Sequence, residues 1–197
     1  FARITDHVHR ENATIVAVDV ADKTLLGDLT QEFGDIIDLN IDHHISNTKF
    51  AKNLLLDADA AATAEIVFEL LTLLKVNIND VTAKALYTGI ATDTGSFKYS
   101  NVTAKTHIIA AMLYDYNIDA SEINRLMFDT KSKNMLELER QVLETAEFHF
   151  DDRCMLLCVT AEMQEKTGCS GTELESVAII SRSVDGVKAG LTIKQTD

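Results

Sequence analysis

Basic residues are scarce in this 197-residue chain: 18 Lys and Arg stand against 31 Asp and Glu, a formal charge of −13. That shortage excludes a broad basic face able to grip long nucleic acid. Any phosphate chemistry must rest on bound cations or on a few well-placed basic groups. Cysteine is equally sparse. Cys154, Cys158 and Cys169 form an odd set, which suits a reducing cytoplasm better than a disulfide framework. The C-x3-C of CMLLC has no second pair and is a weak zinc signal. Read as a strand, it would put Cys154 and Cys158 on one buried face. No apolar run approaches the length of a membrane span. The opening FARITDHVHRENATIV has no signal-peptide core and no initiating methionine, so it reads as the interior of a longer chain. Proline is absent, which is unusual and assigns nothing by itself. The rest is ordinary globular composition, 46% apolar and 25% charged, in a length that suits one large domain or two small ones.

The apolar pattern alternates between strand-like and helix-like. Thr14–Val20 (TIVAVDV) and Ile36–Ile41 (IIDLNI) read as buried parallel strands. Ala61–Lys75, Val81–Ile90, Thr103–Tyr116 and Ala120–Phe128 carry helical spacing, with Asn79 and Asp80 as capping candidates. From Lys131 to Phe148 a charged amphipathic stretch reads as a helix linking two domains. Beyond it MLLCVT is a strand, AEMQEKTG a short helix ending at Gly168, TELESVAIISRS another helix and VKAGLTIKQTD a final strand. Strands ending in acidic residues, with helices between and after, indicate an α/β sheet whose ligands collect beyond the strands' carboxyl ends.

Three residues stand at such ends or after apolar segments: Asp19 in VAVDVAD, His43 in NIDHHISNT and Asp93 in GIATDTGSF. Each is a hard or borderline ligand suited to Mn2+ or Mg2+, and Gly89 and Gly95 allow close backbone approach around Asp93. A carboxylate bridging two cations would make a two-metal site of the kind that cleaves phosphate esters. The adjacent His43 and His44, read as extended chain, point to opposite sides, so one could ligate metal while the other meets something else.

IDHHISNTKF resembles the motif that names the DHH phosphoesterases, VAVDVAD resembles that family's second motif, and GIATDTGSFKYSN is similar to its fourth. All three occur in the family's order and separation. DHHISNTKF, DADAAATAEIVFELL and DTGSFKYSNVTAKTH resemble most the bacterial nanoRNase and 3′-phosphoadenosine 5′-phosphate (pAp) phosphatase branch, over roughly residues 14–197. The resemblance implies a parallel-sheet DHH domain over 1–129, a linker helix over 130–150, and a smaller, incomplete α/β DHH-associated domain over 151–197.

The same resemblance implies that Asp19 bridges two Mn2+ ions (Mg2+ being possible), with His43 and Asp93 as further metal ligands. It makes His44 and Asp42 the catalytic pair, His44 facing the phosphate or a neighbouring carboxylate and Asp42 orienting a histidine. It gives His44 and Asn47 to substrate binding, with shaping of the loop as the alternative for Asn47. The implied activity is hydrolysis of short oligoribonucleotides or pAp, in the cytoplasm, with homodimerisation plausible and neither long nucleic acid nor membrane as a partner. A cyclic-dinucleotide phosphodiesterase and a non-catalytic nucleotide-binding module are the alternatives.

The family's first motif, a histidine followed by closely spaced aspartates, is missing upstream of Val16, and the glycine-rich GGGH segment is missing at the other end. The chain thus reads as truncated at both ends. Asp6, His7 and His9 sit too close to the second motif to replace the first, and read as a solvated helix end. Glu65 reads as a buried hydrogen-bonding or capping group, Lys98 and Tyr99 as surface loop, Arg182 as a helix end, and His107 and His149 as ordinary surface or helix histidines.

Overall fold

The computed structural model describes residues 13–195, which fall into two compact units with the boundary at Asp129–Thr130. Asp6, His7 and His9 lie outside the described residues. In the first unit, three strands form a wholly parallel sheet in the order β1 (Val16–Val18), β2 (Leu39–Asp42), β3 (Asn53–Leu56). Asn40, Ile41 and Asp42 of the central strand are buried, as parallel pairing on both sides requires. Short α1 (Thr30–Phe33) lies in the crossover from β1 to β2.

Four helices follow: α2 (Thr63–Leu73), α3 (Asp80–Asp93), α4 (Ala104–Leu113) and α5 (Ala120–Asn124), the last running into a π-helical turn over Arg125–Asp129. Helix α3 begins where the Asn79 side chain accepts the Thr82 N–H. It buries Ala83, Leu86, Tyr87, Ile90 and Ala91, one stripe at helical spacing. A reciprocal Thr103–Thr106 capping box starts α4. Phe68, Leu86, Ile90, Ile109, Leu113 and Ile123 meet in the helical core. Each buried side chain of this size contributes about 1.5–3 kcal/mol, which is what holds the carboxyl end of α3 in place.

The α/β class read from the sequence is the one observed. Strand β1 is shorter than Thr14–Val20 because Asp19 leaves it with φ +61. The start of β2 falls later than that of Ile36–Ile41 because residues 34–36 still form the turn after α1, while at its other end it runs on to Asp42. Strand β3 had no signal. Its four residues, NLLL, follow a ten-residue loop without Gly or Pro to mark the boundary.

The second unit holds α6 (Lys133–Leu143), β4 (Glu147–His149), β5 (Cys154–Val159), α7 (Ala161–Thr167), α8 (Thr172–Ser176) with a 3-10 continuation over Val177–Ser183, and β6 (Ala189–Lys194). Strand β5 is central, antiparallel to β4 and parallel to β6. The stretch read as a linker helix over 130–150 contains α6, whose Met135, Leu138 and Val142 pack with Met155, Leu157 and Val159 of β5. Its last residues leave the helix to pair as β4. Cys154 and Cys158 do share one face of β5, but the buried face is the other one: the alternation places Met155, Leu157 and Val159 under the helices and leaves both cysteines half-buried.

Candidate metal centre

The carboxyl ends of β1 and β2 and the end of α3 bring Asp19, His43 and Asp93 together. Asp19 follows β1 in left-handed backbone conformation, which non-glycine residues seldom adopt. Its N–H donates to the Ile41 carbonyl at 2.9 Å, and its Oδ1 accepts the Thr63 hydroxyl at 2.7 Å. Thr63 is buried at the start of α2. Backbone strain at this position is over-determined by its neighbours, a pattern found at functional sites. The two turns after β1 and β2 are clamped to each other. Asn40 Nδ2 reaches the Val20 carbonyl at 2.8 Å, and the Thr48 N–H donates to the Ala21 carbonyl at 2.8 Å.

His43 Nδ1 lies 3.1 Å from the Ala60 carbonyl. A carbonyl oxygen only accepts, so this nitrogen carries a proton, and in the neutral ring Nε2 holds the lone pair. That Nε2 faces Asp93 Oδ2 at 3.5 Å and Asp19 Oδ1 at 3.7 Å. Donors around one divalent ion at about 2.0–2.2 Å stand roughly 3–3.5 Å apart, so His43 Nε2 stands near that spacing from each of the two carboxylates. The charge distribution agrees. Burial and the Asp19 carboxylate push the Asp93 carboxyl above its ordinary range, against the opposing pull of His43 and His44. Two crowded carboxylates beside a lone-pair nitrogen form a donor set that a divalent cation satisfies.

The neighbouring imidazole has a different partner. His44 Nδ1 is 2.7 Å from Asp42 Oδ1 and 3.8 Å from Asp19 Oδ1. Asp42 is fully buried, and its Oδ1 also accepts the N–H groups of His43 at 2.8 Å and His44 at 3.3 Å, while Oδ2 accepts Asn47 Nδ2. Burial alone would raise this carboxyl. The hydrogen bonds from Asn47, from the His44 ring and from both backbone amides outweigh it and hold Asp42 below the ordinary carboxylate range. The hydrogen bond to Asp42 in turn raises His44, against its partial burial.

The expectation that the two rings point to opposite sides is overturned: their centroids are 4.5 Å apart in an edge-on pair. The reason is that β2 ends at Asp42, whose carboxylate draws both following amides into a turn. Asp19, His43 and His44 accordingly have ligand atoms within 4.8 Å of one another.

Asn47, expected to bind substrate or to shape the loop, is directed inward. Its amide nitrogen is engaged by Asp42 and by the Val20 carbonyl at 3.3 Å, and its oxygen accepts the Lys49 N–H at 2.7 Å. It therefore fixes the turn that carries the histidines. Lys98 Nζ lies 5.7 Å from the centre of the Phe128 ring, and the Tyr99 ring closes over Gly95, whose φ of +54 permits no side chain there without strain. Glu65 is buried, with one oxygen 3.3 Å from the Ala61 N–H and the other without a partner. Sequence reading missed Thr63, which looks like any helix-start threonine, and Asn101, whose Nδ2 donates to the carbonyls of Ala61 at 3.0 Å and Asp93 at 3.1 Å.

No protein-family model matches the chain. Among curated proteins it is 34% identical, over 94% of its length, to the Thermus thermophilus "Bifunctional oligoribonuclease and PAP phosphatase NrnA". It is 24% identical, over 98% of its length, to the Bacillus subtilis protein of the same name. The chain is a homologue of the NrnA proteins. It spans 54% of the Thermus NrnA and 61% of the Bacillus NrnA.

An exopolyphosphatase-related protein from Bacteroides fragilis superposes with a TM-score of 0.80 at 25% identity, covering 88% of this chain and 52% of that one. A Methanococcus jannaschii structure, described as a candidate family II inorganic pyrophosphatase, shares the fold at a TM-score of 0.51 and 18% identity, covering 92% of this chain and 63% of that one. These findings bear out the DHH-phosphoesterase resemblance of the three motifs and the fold that goes with it. Among the described residues, no helix is long and apolar enough to cross a membrane.

Proposed function

We propose that this chain carries the metal centre of a Mn2+-dependent phosphoesterase that hydrolyses short oligoribonucleotides, pAp or both, as the NrnA names describe. The observation that carries the reading is that His43 Nε2 faces both Asp93 Oδ2, at 3.5 Å, and Asp19 Oδ1, at 3.7 Å, with the other His43 nitrogen committed to a backbone carbonyl. Asp19, His43 and Asp93 would hold the metal. Bound divalent cations supply acidification of water and neutralisation of charge on phosphoryl oxygens.

The remaining work belongs to the chain's own groups. Asp42 orients the His44 ring through Nδ1–H and favours its protonated form, in which Nε2–H can donate to a phosphoryl oxygen or to a departing alkoxide. Asn47 holds Asp42, and Thr63 holds Asp19. A net charge of −13 favours a small substrate reached through cations over a long strand gripped by a basic surface. The cytoplasm is the compartment in which the sparse thiols and such substrates coincide.

The test is a substrate panel with Mn2+: 5′-phosphorylated diadenylate (pApA), pAp, and cyclic and linear dinucleotides. Release of AMP from pApA or pAp is the expected result. Turnover confined to the cyclic dinucleotide would replace the reading with a phosphodiesterase of that specificity. Absence of both Mn2+ uptake and turnover on all four would leave a nucleotide-binding module.

A further inference from the structure

We infer that Asn101 is a positioning residue of the metal centre, locking His43 and Asp93 into one frame. The inference rests on the reading above that these two residues hold metal. The two side chains arrive from unrelated elements. His43 follows β2, and its ring is oriented by the Ala60 carbonyl in the loop before α2. Asp93 is the last residue of α3. Nothing in the strand or the helix alone sets the distance between them.

Asn101 joins the two. A single nitrogen, Nδ2, donates to the carbonyl of Ala61, next to the residue that orients His43, at 3.0 Å, and to the carbonyl of Asp93 itself at 3.1 Å. A primary amide has two N–H groups, so both bonds form at once. No other uncharged side chain of this length offers two donors from one atom.

The surroundings are built to keep that frame rigid. Ala61 and Ala62 are fully buried. Glu65, buried in the first turn of α2, accepts the Ala61 N–H at 3.3 Å, so both backbone polar groups of Ala61 are held. On the other side, three successive residues, Gly95, Ser96 and Phe97, take left-handed backbone conformation. That reversal returns the chain from the end of α3 so that Asn101, eight residues after Asp93, can reach its carbonyl. Left-handed conformation in consecutive residues costs free energy at each one that is not glycine. The placement of Asn101 is a reason for the reversal to persist. Partners of this kind, which orient ligands without touching metal, alter metal affinity by about 10–100-fold when removed.

Asn101→Ala and the near-isosteric Asn101→Asp, which sets an acceptor against two carbonyl oxygens, test the proposal. Asn53→Ala serves as control. Asn53 Nδ2 likewise donates to a backbone carbonyl, that of Asp38 at 2.9 Å, at the edge strand β3 and outside the centre. Mn2+ affinity is measured by calorimetry, at a temperature where thermal melts show every variant folded. The His43 ring tautomer is read in metal-free protein by long-range 1H–15N NMR.

The expected result is Mn2+ affinity lowered about 10-fold or more in both Asn101 variants, unchanged in Asn53→Ala. The single Nδ1–H tautomer of His43 in the unsubstituted chain should become a mixture in both Asn101 variants. Unchanged affinity and tautomer in folded Asn101 variants would overturn the proposal. Failure of the unsubstituted chain itself to bind Mn2+ would overturn the metal reading instead, and the tautomer measurement, which needs no metal, would still judge the coupling of Asn101 to His43.

Discussion

Replacing Asp42 by asparagine removes one charge and almost no volume, so its effect isolates the buried carboxylate. The carboxylate accepts four hydrogen bonds: three at Oδ1, from the His43 and His44 amides and the His44 ring, and one at Oδ2 from Asn47. An asparagine can keep its oxygen at the Oδ1 position, retaining three of these, but its NH2 then meets the Asn47 NH2 donor to donor. The reverse orientation orphans three donors and is worse.

Leaving one buried donor unsatisfied costs about 1–3 kcal/mol. Asn47 recovers part of that through the Val20 carbonyl and Asn40 Oδ1, while the surviving bonds lose their charge assistance. The net is a destabilisation of about 2–3 kcal/mol, a large share of the roughly 5–15 kcal/mol that a folded domain typically has. At about 2–4 °C for each kcal/mol, a thermal melt of metal-free protein should shift down by roughly 5–10 °C. Turnover should fall further than stability implies, by about 10²–10⁴-fold at a temperature where the variant is folded, because the His44 ring loses the carboxylate that orients it. A melt within about 1 °C of the parent, with full turnover, would refute the role assigned to Asp42.

Gly89 in α3 has no room to spare, since a Cβ there would lie 3.0 Å from that of Ala64 in α2. Gly89→Val should destabilise by about 1–3 kcal/mol through overpacking, and should weaken Mn2+ binding because Asp93 lies one turn further on; equilibrium denaturation and calorimetry measure the two effects. Asp38 accepts the Ile15 N–H at 2.9 Å and the Lys52 ammonium at 2.8 Å, and the amide bond first, then the lysine, hold its carboxyl below the usual range. A depressed folded pKa stabilises above the unfolded value, near pH 4, and that contribution is lost as the pH falls through the folded one. Asp38→Asn should therefore lower stability at neutral pH and flatten its decline below about pH 4, as followed by denaturation at a series of pH values. Chelation of divalent ions should abolish turnover reversibly, with Mn2+ restoring it; turnover in excess chelator would count against any metal role.

The parts of this molecule that were legible in its sequence are those where residue type and chemistry coincide. Apolar runs ending at Asp19 and Asp42 mark the carboxyl edge of a parallel sheet, and His43 and Asp93 are few-purpose residues in such a place. The helices were readable from their stripes, as with Ala83, Leu86, Tyr87 and Ile90. What was not legible depends on contacts between distant segments. Asn47 has the chemistry to bind substrate, and only the position of Asp42 and Val20 turns it inward. Thr63 and Asn101 are ordinary helix-start and turn residues until the fold sets them against Asp19 and against the Ala61 and Asp93 carbonyls. The two histidines were assigned opposite directions by strand geometry, which fails because the preceding aspartate ends the strand.

The central claim is that Asp19, His43 and Asp93 form a metal centre that hydrolyses phosphate esters. The most direct measurement is AMP release from pApA by the unsubstituted chain and by Asp93→Ala, each with and without Mn2+. Hydrolysis that requires Mn2+ and disappears in the variant is the predicted result. Hydrolysis that survives the loss of Asp93, or that proceeds equally well without a divalent ion, would contradict it.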